Sequence, residues 1–389
     1  MFQFGFCQRI IILFWHSSII RLFLFTYRKL LKDQVLSWYI SPYLAKISRR
    51  PEKIILIDAF AGAGKFGNNE AGSPLIICKA AEKYAKGKYK AFFVNRKQRD
   101  HFQLQSIIKA ANWDSSAIPV LGDSKDFLKS IVPALDRNSV FLYLDPFGLK
   151  DCQFSVLTPF LERDTRYSTE ILINLSMPIM HRLAGREAWL ANPQSNLLEE
   201  RHKTLTSILG GDYWKSFLLA EADMSPKERE IAVIEGYTKL LAKTLPYTGY
   251  CPVRETPTSQ TKYFIIFASR HKDTMVLMND SMVNAFNKYM NEVENDGTLF
   301  AQLHWRNWRD SRELENIIKQ YVSKYPNNTR KDLWREIVCD HFMKFAESEY
   351  KEAVNALVTR NDIYCSTPIG SEIRKTKQLN DRCILVPKS

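Results

Sequence analysis

The chain has 389 residues, room for one large domain and a smaller one, with 45% hydrophobic and 25% charged residues and neither a repeat nor a low-complexity tract. A net charge of +13 favours polyanionic over acidic partners, and residues 1–50 carry more than half of that excess, with eight Lys or Arg against Asp33 alone. Seven scattered cysteines without a C-x-x-C pair exclude zinc-site spacing, and their odd number speaks against a disulfide framework. They read as inert thiols in a reducing, cytoplasmic setting.

Residues 1–30 hold two apolar runs, Ile10–Trp15 and Ile19–Phe25, interrupted by His16, Ser17, Ser18 and Arg21. A spanning helix needs about 20 mostly apolar residues, so no membrane segment is expected. The stretch is an N-terminal extension, read most simply as an over-extended gene start. From Arg28 to Ile47 the spacing predicts an amphipathic helix with Leu31, Val35, Trp38, Ile40 and Leu44 inside and a break or kink at Pro42.

Strand and helix then alternate. Strands are predicted at Lys53–Ala59, Lys90–Asn95, Ile118–Asp123, Val140–Asp145 and Glu170–Ser176. Helices are predicted from the cap Ser73 to about Lys86, then at Gln98–Asn112, Ser124–Val132 and Gln153–Arg163. Short strands that are apolar on both faces and separated by helices mean a parallel sheet covered on both sides. A helical insertion at 178–227 and a helix at Glu228–Leu245 follow, then two strands, Tyr250–Arg254 and Lys262–Ser269, that pair antiparallel. Five parallel strands closed by such a pair predict an α/β, doubly wound, mostly parallel sheet of the class I methyltransferase type, spanning 31–285. Past residue 292 the expected order is a helix at Arg330–Phe345 capped by Asn328-Thr329, a second at Tyr350–Val358, and strands Ile363–Cys365 and Cys383–Pro387. That order predicts a winged-helix-like module over 292–389.

In a doubly wound sheet, ligands bind beyond the carboxyl ends of the strands at the switch point. The first such end reads Asp58-Ala59-Phe60-Ala61-Gly62-Ala63-Gly64, where glycines permit a sharp turn and close approach of a ligand. It is no P-loop, since Ala59 stands at the first glycine position and Phe66 follows Lys65. Gly62, Gly64 and Gly67 match the dinucleotide fingerprint, but the acid expected about 20 residues on is missing. The pattern is instead the D-x-F-x-G-x-G form of many base methyltransferases, whose loop wraps the methionine part of S-adenosylmethionine. Strand two ends in Asn95 where an acid usually grips the ribose, so Asn95→Asp is expected to tighten the cofactor if this position faces the sugar. Asp123, with Ser124 after it, is either a carboxylate for the adenine amine or a plain helix cap.

Strand four ends in Asp145-Pro146-Phe147-Gly148. An exocyclic amine attacks a sulfonium methyl only with its lone pair out of conjugation. The Asp145 side chain and the Pro146 carbonyl can both accept from that amine, and Phe147 can stack on a flipped base. The bland alternative is an Asp-Pro turn with a buried Phe.

Several segments together resemble the three-Cys-motif partner protein family: Asp58–Gly64, Gly72-Ser73-Pro74, Phe92–Asn95, Gly122-Asp123, Leu144–Gly148, Leu172–Leu175, Leu209–Trp214 and Tyr263–Met278. The likeness runs from about Lys29 to Met282. It implies a class I methyltransferase-like core and a separately encoded partner bearing a three-cysteine motif, but no substrate. Asn95 departs from the usual acid. The Asp145–Gly148 tetrapeptide is also similar to motif IV of tRNA guanine dimethyltransferases, which favours an amine target. The expected function is therefore methyl transfer from S-adenosylmethionine to a base amine of DNA or RNA. Asp145, Pro146 and Phe147 stand at the reacting centre, and Asp58, Phe60, Gly62, Gly64, Asn95, Asp123 and Ser124 around the cofactor, with no metal. The rival is a non-catalytic accessory protein of a defence or mobile-element locus. A metal-dependent nuclease is more distant, since Asp58, Asp123 and Asp145 come from three strand ends. In the tail, Glu349–Thr359 is expected as a recognition helix with Lys351 and Arg360, and Arg374, Lys375, Lys377 and Arg382 as a basic wing. Trp305 and Trp308 are read as packing residues.

Overall fold

A computed structural model describes residues 31–388 apart from 66–69, 194, 220–223, 255–258, 296–309, 368–371 and 374–378. The extension 1–30, Gly67, Trp305, Trp308, Arg374, Lys375 and Lys377 lie outside the described residues. The first helix, α1, covers residues 31–47 and passes through Pro42 unbroken. Pro42 is exposed, so water can take the carbonyl that its missing N–H would have bonded. The buried face is Leu31, Val35, Leu36, Tyr39, Ile40, Tyr43 and Leu44, whereas Trp38 is exposed, one residue off the stripe.

The alternation follows as β1 Ile54–Asp58, α2 Ser73–Tyr84, β2 Tyr89–Asn95, α3 Gln98–Ala110, β3 Ala117–Leu121, α4 Ser124–Ile131, β4 Ser139–Leu144, α5 Phe154–Leu161 and β5 Thr169–Ser176. The insertion holds α6 Met177–Ala184, α7 Arg186–Ala191, α8 Asn196–Leu209 and α9 Lys215–Leu218. Then come α10 Pro226–Ala242, β6 Tyr247–Val253, β7 Tyr263–Ser269 and α11 Lys272–Asn295. A capping box between Ser225 and Glu228 starts α10.

The seven strands lie in the order β3-β2-β1-β4-β5-β7-β6. Only β7 runs against the rest, pairing antiparallel with both β5 and β6. That order and that single reversed strand define the class I methyltransferase sheet. Its two apolar faces are covered separately: α1, α2, α3 and α11 lie on one, and α4, α5, α8 and α10 on the other. The switch point falls between β1 and β4, which leave in opposite directions from the middle of the sheet.

The C-terminal unit contains a helix that the expected order lacked, α12 Ser311–Lys324, before α13 Arg330–Asp340 and α14 Glu347–Thr359. Three short strands follow, β8 Ile363–Ser366, β9 Glu372–Ile373 and β10 Ile384–Pro387, with β8 central. Thr329 caps α13 as expected and also bridges to Ile384, tying the helix start to the sheet. The unit shares one apolar core with α1, α2 and α11. Asn279 of α11 fixes the seam, donating to the Phe345 carbonyl at 2.8 Å and accepting from the Met343 N–H at 2.8 Å.

Candidate active site

Register sets the site. Asp58 lies level with Phe93 on β2 and Tyr143 on β4, so Asn95 and Asp145 each reach two residues further and flank the glycine turn. The turn is held from several sides: Ala59 N–H bonds the Tyr143 carbonyl at 3.1 Å, Ala61 N–H bonds Val94 at 2.9 Å, and Gly72 N–H closes on Gly64 at 2.8 Å. Gly64 sits at φ +87°, where a Cβ would also come within 2.9 Å of Leu104. Gly62 differs, because a Cβ there would meet nothing within 4 Å, and the same is true of Gly122 and Gly148 at the ends of β3 and β4. Each of these three positions thus opens onto space that no protein atom fills.

Asp58 is fully buried and works as a brace. It accepts from Phe60 N–H at 3.2 Å and from the Ser73 hydroxyl at 2.6 Å, which joins the turn to the start of α2. Gly72, not Ser73, occupies the cap position of that helix, with Pro74 in its first turn, so the Ser73 hydroxyl is free to bond Asp58. Burial pushes the Asp58 carboxyl up from 3.8 to about 7, against the opposing pull of these two hydrogen bonds.

Asn95 is buried as well, and its amide nitrogen donates to the carbonyls of Ala61 at 2.7 Å and Gly62 at 3.1 Å. Its Oδ1 is buried with no partner among the described residues. The residue therefore holds the turn in place. A carboxylate there would face two carbonyl oxygens and lose both bonds. The structure thus reverses the expectation for Asn95→Asp: the variant should be less stable by about 2–4 kcal/mol. It should also bind cofactor more weakly, and thermal melts beside a ligand titration check both.

Asp123 caps α4, accepting from Lys125 N–H at 2.9 Å, so the cap reading of this residue holds. Ser124 is buried and its hydroxyl donates to the Ala59 carbonyl, joining the β3 end to the glycine turn. Phe60 is half-buried in the turn.

Asp145 and Pro146 are half-buried, while Phe147 is 90% exposed, an apolar ring standing clear beside the carboxylate. A buried Phe147, the bland alternative, is not what the chain adopts. The sequence reading missed the partner of Asp145. Lys32 of α1 donates to both carboxylate oxygens, at 2.6 and 2.7 Å, and its ammonium lies 5.1 Å from the centre of the Tyr263 ring at the start of β7. Arg96, just past β2, forms a looser ion pair with Asp151 at 3.7 Å, linking the segments that follow β2 and β4. Asn174, near the end of β5, donates to the Tyr143 hydroxyl at 3.3 Å and keeps a buried Oδ1 without a partner among the described residues. No strand-end motif points to Lys32, which lies 113 positions from Asp145.

Among the described residues no group of three His, Cys, Asp or Glu is placed to hold a metal, and no helix is long and apolar enough to cross a membrane. A cavity of about 610 Å³ lies elsewhere, beside the amino end of β5, lined by Tyr43, Arg50, Glu170, His271 and Arg335. Ligands of this fold sit at the opposite strand ends, so topology and not cavity size assigns the site. In the C-terminal unit, Lys351 pairs with Glu347 at 2.6 Å, and Arg360 with Glu315 at 2.7 Å and Asp362 at 3.3 Å. Two expected docking cations are thus engaged within the unit itself.

No family model matches the chain, and no curated protein matches it. Solved structures do. An O-methyltransferase from Bacillus cereus in complex with SAH is 12% identical, with 60% of this chain and 79% of that chain covered and a TM-score of 0.31. The plantazolicin methyltransferase BpumL, also with SAH, is 12% identical over 66% of this chain and 91% of that chain, at a TM-score of 0.31. A geranyl diphosphate methyltransferase with sinefungin is 11% identical over 59% of this chain and 78% of that chain, at 0.26. Likenesses at such scores carry no argument; the strand order and the geometry at the strand ends do.

Proposed function

We propose that the chain transfers a methyl group from S-adenosylmethionine to an exocyclic amine of a nucleic-acid base. One observation carries this reading: Asp145, Pro146 and an exposed Phe147 stand at the end of β4, next to a glycine turn whose Gly62 opens onto clear space. The residues fit the cofactor on two counts. A Cβ at Gly62, Gly122 or Gly148 would enter space that the protein leaves empty, and the buried Asn95 Oδ1 lacks a donor that a ribose hydroxyl would provide. The cofactor supplies an electrophilic methyl on a sulfonium. The glycine turn would hold its methionine part, Asn95 its ribose, and Asp145 with the Pro146 carbonyl would hold the acceptor amine while Phe147 stacks on the base. The basic composition supports a polyanionic substrate. The resemblance to three-Cys-motif partner proteins supports a separately encoded partner, and the order of the C-terminal elements supports a winged-helix role in docking.

A second reading, a non-catalytic accessory protein, is favoured by the grip of Lys32 on both oxygens of Asp145. Calorimetric titration separates the first requirement. S-adenosylmethionine and S-adenosylhomocysteine should each bind one site, and Gly62→Leu should weaken them at least tenfold, about 1.4 kcal/mol. Because the new side chain meets no protein atom within 4 Å of its Cβ, the melting temperature should hold. No binding at millimolar ligand would leave the accessory reading standing.

A further inference from the structure

The proposed site already contains an amine. Lys32 Nζ sits 2.6 and 2.7 Å from the Asp145 oxygens, in the place assigned above to the acceptor nitrogen, and it comes from α1 of the same chain. The side chain is only 20% exposed. The Tyr263 ring lies 5.1 Å away and offers the aromatic face that suits an ammonium or a methylammonium.

We propose that Lys32 is itself a methyl acceptor, so that the chain methylates its own first helix in the absence of a nucleic-acid substrate. The inference rests on the S-adenosylmethionine reading given above. One proton leaves Nζ through the Asp145 carboxylate to solvent. The nitrogen lone pair then forms the N–CH3 bond as the S–CH3 bond breaks and its electrons return to sulfur. The products are a monomethylammonium, neutral S-adenosylhomocysteine and one proton; nothing is oxidised or reduced. A sulfonium brought beside an ammonium favours the loss of that first proton, since two like charges disfavour each other's charged forms. Three carboxylates belong to the same neighbourhood: Asp145 in direct contact with Lys32, Asp58, whose carboxyl senses Asp145, and Asp33, next to Lys32 on α1, whose charge acts with theirs on the Tyr143 hydroxyl.

The full chain is incubated with methyl-labelled S-adenosylmethionine and no other substrate, then read by intact mass and peptide mapping. One methyl per chain is expected, on the peptide carrying Lys32, with a fractional rate independent of protein concentration because the acceptor is in cis. Lys32→Arg keeps the charge opposite Asp145 and should bring the label to background, and Gly62→Leu should do the same with Lys32 intact. A second readout needs no turnover. Calorimetry in two buffers of different ionisation enthalpy should show more protons released on binding sinefungin, a cationic analogue with no methyl to transfer, than S-adenosylhomocysteine, and Lys32→Met should shrink that difference while any share from Asp58 stays. Cofactor bound with Lys32 unlabelled overturns the inference and leaves the cofactor reading intact. Label on other lysines, or labelling that scales with protein concentration, overturns it as well. Failure of the cofactor to bind overturns both.

Discussion

Asp145→Ala is expected to slow methyl transfer to nucleic acid by about 30- to 1000-fold, roughly 2–4 kcal/mol of barrier, by the measure of oriented electrostatic groups elsewhere. The reason is positional: the end of β4 delivers this carboxylate beside the open space at Gly62, and the acceptor amine gains positive charge as it takes the methyl. Cofactor affinity should persist, because the turn belongs to β1 and is held by Asp58, Asn95 and Ser124. The measurement is tritium transfer from S-adenosylmethionine to DNA, tRNA and rRNA fractions, with and without the separately encoded partner bearing the three-cysteine motif. Asp145→Asn, which keeps one acceptor oxygen, should fall between the wild type and the alanine variant. Equal label from Asp145→Ala and the wild type would remove Asp145 from the reacting centre. Label in no fraction, with cofactor bound and that partner present, would favour the accessory protein.

Most of the sheet was legible because two-sided apolar strands between helices admit few arrangements, and each strand-end motif then had one place to go. The five parallel strands and the closing antiparallel pair all formed within a few residues of their expected bounds. What escaped was non-local. Lys32 and Asp145 meet only because α1 lies across the sheet face with its first turn at the carboxyl ends of the strands, and no spacing rule in the sequence encodes that crossing. Asn95 was legible as a departure from the usual acid but not as a brace, because its hydrogen bonds go to backbone carbonyls of a turn that carries no side-chain signature there. The helix α12 lay outside the expected order although it was legible: Leu314, Ile317, Ile318, Tyr321 and Val322 recur at the spacing of an amphipathic helix, behind Asp310 as a cap. The C-terminal basic residues were legible as charges, yet their partners Glu315, Glu347 and Asp362 decide what they are free to do.

Glu170→Gln is expected to stabilise the chain at alkaline pH and to leave it nearly unchanged near pH 5. Glu170 begins β5 fully buried, accepting a hydrogen bond from the Tyr39 hydroxyl of α1 and a longer one, 3.4 Å, from Ser168. Burial pushes its carboxyl up from 4.5 to about 8, more than these hydrogen bonds pull it down. The sign follows from proton counting. Between 4.5 and about 8 the folded chain holds a proton that the unfolded chain has released, so stability is greatest below 4.5 and declines as pH rises through the folded value. Asp58, raised from 3.8 to about 7, adds a decline of the same sign that the variant does not touch. Glutamine cannot ionise, but its carbonyl can still accept from Tyr39, so the variant escapes the Glu170 part alone. The gain above pH 8 should be on the order of 2–4 kcal/mol, less than the full span implies because a buried site relaxes around its charge. Thermal melts of both proteins from pH 5 to 9 decide it: curves that nearly meet at pH 5, part progressively up to about pH 8 and keep a constant gap above it are expected, and parallel curves throughout would mean that Glu170 is ionised at all these pH values.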